Sequence, residues 1–279
     1  MIKASVIGWP IQHSRSPLIH GYWLKKHGIN GSYDKQAVAP DALESFIQTL
    51  RDGEHVGTNV TLPHKEAALP FIDEADDRVR RIGALNTIWR DSSKLLATST
   101  DGPGFLANVQ QTQPQFEIAK GPVTILGAGG STRAIIDELL RTGVDRIFIH
   151  NRTYSRAEAL AQHFGAKVRS VAPAKLTKAL AETGLLVNST SAGMTGQDQL
   201  DFSWDSLAPN AVVADIVYTP LVTPFLLEAQ SRGHAIIPGL GMLLHQAVVG
   251  FEKWFGVRPE VTQDLYDLVA RDIDPEYAA

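Results

Sequence analysis

The feature that most constrains the fold is Val123-Thr-Ile-Leu126 running straight into Gly127-Ala128-Gly129-Gly130-Ser131-Thr132-Arg133-Ala134. A short apolar strand, a glycine turn and an amphipathic helix follow one another. The first glycine permits a tight turn, and the second lets the backbone approach a pyrophosphate. Free N–H groups at the helix start then face that anion. The third small residue of the dinucleotide fingerprint falls on Thr132, whose branched side chain suits a close helix–strand contact poorly. A glycine-rich turn without a ligand is the plain alternative.

After the next strand comes His150-Asn151-Arg152-Thr153-Tyr154-Ser155-Arg156. A site for NAD places Asp or Glu here, on the ribose 2′-hydroxyl. This chain places an arginine, a hydroxyl and a second arginine. Guanidinium groups match phosphate geometry by paired hydrogen bonds, so the expected cofactor is NADP. Asn151 or Thr153 capping a helix, with solvated arginines, is the alternative, and both readings can hold together.

Around this unit, strand-like runs alternate with helical patterns. Ala4 to Gly8, Ser32 to Val38, Val56 to Val60, Val123 to Leu126, Arg146 to His150, Lys167 to Val171, Leu185 to Val187 and Ala211 to Ile216 read as strands. Helical patterns start near Leu18, span Asp41 to Leu50 and Thr132 to Arg141, and run from Met242 to Phe255, stopping at Gly256. Such alternation implies an α/β protein with parallel sheets. A chain of 279 residues allows one or two domains, and the boundary is expected near Asp101 to Phe105. The acids Asp73 to Asp77 followed by Arg78, Arg80 and Arg81 read as a solvated helix with acids early and bases late; a binding patch is the other reading.

Composition removes whole classes. There is no cysteine, which excludes disulfides, a thiol nucleophile, an iron–sulfur cluster and a Cys-ligated zinc. Lys+Arg 26 against Asp+Glu 30 gives a net charge of −4, so no basic excess points to nucleic acid or an anionic membrane. No apolar run reaches the roughly 18 residues of a membrane span. No secretory leader is visible, so a cytoplasmic protein is expected. The histidines show no H-x-x-x-H spacing, and no metal is expected.

The first hundred residues carry a polar constellation. Ser14-Arg15-Ser16-Pro17 opens the first helix, with Ser16 suited to the N-cap and Pro17 to the first helical position. Two hydroxyls beside a helix start also make an anion site. In Asn59-Val-Thr61-Leu-Pro63-His64-Lys65, Pro63 starts a helix and Lys65 lies in its first turn, a poor place for a cation. That lysine is either swung into solvent or held for function. Thr100-Asp101-Gly-Pro103 precedes another helix, where Asp101 is either a simple N-cap or half of a buried Lys–Asp pair handling a proton beside a nicotinamide.

With these residues in hand, the chain resembles the shikimate dehydrogenase family over almost its whole length. The resemblance is carried in order by Gly8-Trp-Pro-Ile-Gln-His-Ser14-Arg-Ser16-Pro, Asn59-Val-Thr61-Leu-Pro-His-Lys65, Gly83-Ala-Leu-Asn86-Thr, Thr100-Asp101-Gly, Gly127-Ala-Gly-Gly, Asn151-Arg152-Thr153, Asn188-Ser-Thr-Ser-Ala-Gly-Met194, Asp215-Ile-Val-Tyr218-Thr-Pro and Gly239-Leu-Gly-Met-Leu-Leu-His-Gln246-Ala.

The resemblance implies a two-lobed α/β architecture. An N-terminal substrate-binding domain, residues 1–101, is completed by C-terminal helices within 240–279. Residues 102–239 form a Rossmann-like, doubly wound NADP-binding domain, and the cleft between the lobes closes on substrate. It also implies reversible NADPH-dependent reduction of 3-dehydroshikimate to shikimate, in aromatic amino acid biosynthesis. Lys65 and Asp101 would be the catalytic pair. Ser14 and Ser16 would take the carboxylate, and Asn59, Thr61, Asn86, Asp101 and Gln246 the ring hydroxyls, with Tyr218 closing the site. Gly127, Ala128, Gly129, Gly130, Ser131, Asn151, Arg152, Thr153 and Arg156 would bind NADP, with Asp77 near the nicotinamide and Ile216 and Gly239 lining the cofactor site.

Three positions depart from the family pattern: Ser99 for Asn, Thr132 for Ala, and Pro238 for Asp or Asn. They leave open a paralogue acting on quinate or an aminated analogue, and a catalytically silent NADPH sensor is the rival of another class. The expected partners are small molecules, with no nucleic acid and no membrane; the sequence leaves a homodimer open.

Overall fold

The structure, a computed structural model, describes residues 1–193, 200 and 202–278. The chain forms two compact units, Met1–Gly104 with Leu243–Val269, and Phe105–Met242 with the residues from Ala270 on. The division falls inside continuous helices. It therefore differs from the expected boundaries by a few residues near 101 and 240, and the last residues group with the second unit rather than the first.

The elements in chain order are β1 (Ile2–Gly8), α1 (Ser16–Lys26), β2 (Gly31–Ala37), α2 (Leu43–Arg51), β3 (Gly57–Val60), α3 (His64–Ala67), β4 (Glu74–Ala75), α4 (Asp77–Ile82), β5 (Thr87–Asp91), β6 (Lys94–Thr98) and α5 (Asp101–Thr112). There follow β7 (Val123–Leu126), α6 (Gly130–Arg141), β8 (Ile147–His150), α7 (Tyr154–Phe164), β9 (Val168–Ser170), α8 (Pro173–Leu180), β10 (Leu185–Asn188), β11 (Val212–Asp215), α9 (Pro224–Ser231), β12 (Ile236–Ile237), α10 (Leu240–Phe255) and α11 (Gln263–Ile273).

The second unit's sheet runs β12-β11-β10-β7-β8-β9, and every neighbouring pair in it is parallel. This is the order of two mononucleotide-binding halves, with the switch point between β7 and β10. The strands are apolar on both sides because both faces are covered. Val123, Ile125, Leu185 and Val187 pack into one core, and Leu126, Leu186 and Val213 into the other.

The first unit's sheet is mixed, which corrects the expectation of parallel sheets throughout. Its order is β2-β1-β3-β5-β6-β4. β1 is parallel to β2 and β3, while β5 is antiparallel to both β3 and β6. The β5–β6 turn carries Ser92 at φ 56°, a left-handed residue that the alternation pattern does not reveal. One face packs Ile7, Val60, Ile88 and Leu95 against Ile47 and Leu50 of α2. In an aromatic cluster of this unit, Trp23, Tyr33, Phe251 and Trp254 surround His20.

The expected helix with acids early and bases late is present but shorter than the charged run: α4 has Asp77 in its first turn and Arg80 and Arg81 in its last, while the acids before Asp76 lie outside it. Glu74–Ala75 is a strand paired with β6, and Asp76 caps the short α4 by accepting from the Val79 amide at 2.9 Å. Among the described residues, no helix is long and apolar enough to cross a membrane.

Candidate active site

Two loops leave the carboxyl ends of β1 and β3, and their N-terminal features differ from expectation. The backbone N-cap of α1 is Arg15, without a side-chain cap, so Ser16 and Pro17 are the first two helical residues. The cap-like bond comes from one residue further back: Ser14 Oγ accepts from the Ser16 N–H at 3.3 Å. Pro63 likewise does not begin a helix. It follows a cis peptide and occupies the N-cap of α3, a single turn. So short a helix has little dipole to set against Lys65.

What Lys65 has instead is Asp101. Lys65 Nζ donates to Asp101 Oδ2, and the two side chains are only 11% and 8% exposed. Two buried charges of this kind are tolerated when they pair and when further hydrogen bonds satisfy them. The other carboxylate oxygen, Oδ1, accepts from Asn86 Nδ2 at 2.8 Å. The aspartate is therefore an ion-pair partner and more than a helix cap.

Asn86 is the hub. Its Oδ1 accepts from the Thr100 amide at 2.9 Å and from Thr87 Oγ1 at 3.0 Å. Its Nδ2 lies 2.9 Å from Thr100 Oγ1 and 3.2 Å from Gln246 Oε1. Asn59 is buried, and both of its amide hydrogens have protein acceptors, the Asn86 carbonyl at 3.1 Å and Thr87 Oγ1 at 3.2 Å. Its Oδ1 accepts from Tyr33 Oη at 2.6 Å. Thr61, half-buried, follows β3, with its methyl against Gly8.

The structure thus brings Lys65, Asn86, Asp101, Gln246 and Asn59 into one network, and Ser16 faces the same network through Tyr33. Ser14 and Thr61 flank it on the two loops. Tyr33, Thr87 and Thr100 were not among the expected site residues. Their only local signal is a polar or aromatic residue in or beside a strand.

In the second unit, the glycine turn is built as the sequence suggests. Gly127 sits at φ +119°, and a Cβ there would meet Ser189 Oγ at 2.6 Å. Its N–H donates to the His150 carbonyl at 2.8 Å, tying the turn to the strand that leads into Asn151, Arg152 and Thr153. Arg152 and Arg156 are exposed, with no ion pair among the described residues. Asn151 Nδ2 donates to the Thr153 carbonyl at 2.9 Å. Thr153 holds the backbone N-cap of α7 without a side-chain cap bond, so capping does not occupy its hydroxyl.

Thr132 is fully buried and useful. Its Oγ1 accepts from the Gly129 N–H at 3.1 Å and contacts Ser189 Oγ at 2.8 Å. Ser189 Oγ donates in turn to the Leu126 carbonyl at 2.9 Å. Ala128 and Ser131 are half-buried beside the turn, and Gly130 begins α6.

Ile216 and Tyr218 are half-buried after β11. Asp215, at that strand end, accepts from Thr223 Oγ1, the Val217 amide and Asn188 Nδ2 at 2.7, 2.9 and 3.0 Å. Burial, opposed by these three bonds, pushes its carboxyl up to about 6. Gly239 lies against this segment, where a Cβ would meet the Val217 carbonyl at 2.5 Å. The Pro238 carbonyl accepts from Asn108 at 2.8 Å. Asp77 lies in the first unit, exposed and paired with Arg80 at 3.0 Å. Met194, which ends one motif, lies outside the described residues.

Three family descriptions match the chain in order. Residues 6–88 match the shikimate dehydrogenase substrate binding domain, 109–199 the shikimate/quinate 5-dehydrogenase domain, and 239–263 the shikimate 5′-dehydrogenase C-terminal domain. A shikimate dehydrogenase (NADP(+)) of Nitrobacter hamburgensis is 50% identical over 97% of this chain and 94% of its own. The chain belongs to the shikimate dehydrogenase family.

A second relative of the same name, from Azorhizobium caulinodans, is 46% identical over 98% of this chain and 97% of its own. The crystal structure of shikimate 5-dehydrogenase from Thermus thermophilus, in complex with NADP(H) and shikimate, superposes with a TM-score of 0.87 at 35% identity, covering 98% of this chain and all of that one. Family membership makes the chain an oxidoreductase.

Proposed function

We propose that this chain is an NADP-dependent shikimate dehydrogenase that reversibly reduces 3-dehydroshikimate to shikimate. The observation that carries the reading is the buried Lys65–Asp101 pair joined to the Asn86 hub. Residues 1–101 with the C-terminal helices within 240–279 would hold substrate, and the glycine-turn unit would hold cofactor.

The second unit's residues fit NADP. Gly129 has an ordinary negative φ of −102°, and a Cβ there would meet nothing within 4 Å. Neither backbone nor neighbours demand glycine, so its effect is open space at the start of α6, where a pyrophosphate would lie. Arg152 and Arg156, with Thr153, would hold the 2′-phosphate. Bound NADPH supplies the hydride that reduces the ketone carbon.

The chain's own groups manage the rest. Lys65 Nζ donates a proton to the ketone oxygen and takes it back in the reverse direction. Asp101 orients the ammonium and balances its charge, and Asn86 holds Asp101. Ser14 and Ser16 would receive the substrate carboxylate, with Thr61, Asn86 and Gln246 on ring hydroxyls. A site of hydroxyls and amides rejects an analogue lacking a hydroxyl, because buried polar groups are left unpaired.

The test is turnover of shikimate and quinate with NADP and with NAD, read by reduced-nicotinamide absorbance. The reading expects the highest kcat/KM for shikimate with NADP. A quinate preference would assign the chain to the paralogue, and no turnover with any pair would leave a sensor.

A further inference from the structure

Beyond the pair that handles the proton, a line of buried side chains runs away from Asp101 across the first sheet. Tyr33 pairs with Ala4 in β1, Asn59 with Val6, and Thr87 with Asn59. Ala4 and Val6 are two apart and share one face, so Tyr33, Asn59 and Thr87 stand on that face together. Beside Ala4 on β3 is Gly57, and these small residues leave room for the Tyr33 and Trp254 rings to lie over β1 and β3.

The direction of each hydrogen bond follows from groups whose roles are fixed. The Thr100 backbone N–H can only donate, so the Asn86 atom it meets is Oδ1 and the atom facing Asp101 is Nδ2. The Asn86 backbone carbonyl can only accept, so the Asn59 atom it meets is Nδ2 and the one facing Tyr33 is Oδ1. Tyr33 therefore donates to Asn59, Asn59 to Thr87, Thr87 to Asn86, and Asn86 to Asp101 Oδ1, at 2.6, 3.2, 3.0 and 2.8 Å. Every link points the same way, and such chains strengthen cooperatively in a low-dielectric interior.

The far end is built to remain a donor. Burial raises the Tyr33 phenol well above its ordinary range, with the Ser16 side chain opposing. Its ring stacks on His20 at 3.9 Å between centroids and 11° between planes. His20 is itself buried, and that burial, opposed by the Asn59 side chain, pushes its pKa down to about 3, so the ring is neutral. The imidazole gives the Tyr33 ring a flat, uncharged face to stack on.

We propose that Tyr33 is a positioning residue for the Lys65–Asp101 pair, acting through Asn59, Thr87 and Asn86. Without its hydroxyl the Asn59 oxygen loses its donor and the chain loses its first, polarising link, so Thr87 and Asn86 hold Asp101 less tightly, although the Asn86 carbonyl and the Thr100 N–H still set which way the two amides face. This rests on the reading of Lys65 and Asp101 as the proton-handling pair.

The test is steady-state kinetics of Tyr33→Phe, Thr87→Val and the double variant, beside Asp101→Asn. Each single change should lower kcat about 3- to 10-fold, the worth of one hydrogen bond, with KM for shikimate moving less and KM for NADP unmoved. The double variant should fall no further than the worse single, because both cuts break one chain. Should Tyr33→Phe fail to fold, Thr87→Val against Thr87→Ser decides, since only serine restores the hydroxyl link and kcat with it. Wild-type kcat in Tyr33→Phe, a double variant that multiplies the two losses, or equal kcat in Thr87→Val and Thr87→Ser would overturn the proposal. Wild-type kcat in Asp101→Asn would overturn the underlying reading as well.

Discussion

Ser14 Oγ accepts a hydrogen bond from the Ser16 amide, so the two hydroxyls of the Ser-Arg-Ser segment have different structural duties. Ser14 helps to start α1, and Ser16, inside the helix, is buried against Tyr33.

Ser14→Ala should therefore weaken both binding and folding. Losing a half-buried hydroxyl that hydrogen-bonds the substrate costs about 1–3 kcal/mol of affinity, roughly 5- to 150-fold in KM for shikimate. Losing the cap-like bond costs about 1 kcal/mol, or about 2–4 °C in Tm. Steady-state kinetics and thermal melting check the two halves separately; an unchanged KM would remove Ser14 from the carboxylate site.

Arg152 stands exposed and without an ion pair among the described residues, just past the end of β8. Arg152→Ala should raise KM for NADP roughly 10- to 150-fold, the loss of a charge-assisted hydrogen bond of about 1.5–3 kcal/mol, while turnover with NAD stays near wild type. Equal losses with both cofactors would make Arg152 a structural residue.

Thr132 converts an apparent misfit into a clip. Its hydroxyl takes the Gly129 N–H and reaches Ser189, so the glycine turn is held to the end of β10. Thr132→Val keeps the shape and removes the clip. Calorimetry should show NADP binding weakened about 3- to 10-fold, whereas 2′-AMP, which lacks the pyrophosphate, should bind as before.

Asp215 should make stability fall as pH rises. Its carboxyl titrates near 6 in the folded chain, against 3.8 for an aspartate free in water. Between those values the folded state holds a proton that the unfolded state has released, so the contribution is fully present below the lower value and lost through the upper one. The loss is about 3 kcal/mol at the pKa-to-energy conversion of 1.36 kcal/mol per unit. Urea unfolding at pH 4 and pH 7 should show Asp215→Asn gaining on wild type by about 2 kcal/mol, the part of the loss that falls between those two pH values; parallel curves would contradict it.

The sequence made the glycine turn legible because all its parts are local. A β-branched run, Gly127 and an amphipathic helix lie within one stretch, and the chain folds them as neighbours. The same holds for Arg152, fixed by its place after β8. Asn86 and Gln246, in contrast, meet across 160 positions, and only the family resemblance placed them together. Tyr33 gave no more signal than an aromatic residue in a strand, since its role depends on which strands pair and on the small residues Ala4 and Gly57 beside it. The mixed first sheet was hidden for a similar reason: parallel and antiparallel neighbours share the same alternating pattern, and a left-handed Ser92 reverses the chain where a glycine would have announced it.

In the proposed reaction Lys65, held by Asp101, moves the proton. The most direct test is Lys65→Met, which keeps the apolar stem and removes the ammonium, assayed for kcat, KM for shikimate and NADP dissociation constant after melting confirms a folded variant. In this variant kcat should fall about 10²- to 10⁴-fold, a larger change than in substrate binding, with NADP affinity close to wild type. A variant that raised KM for shikimate about tenfold but kept wild-type kcat would show that Lys65 only binds substrate, and would contradict the account.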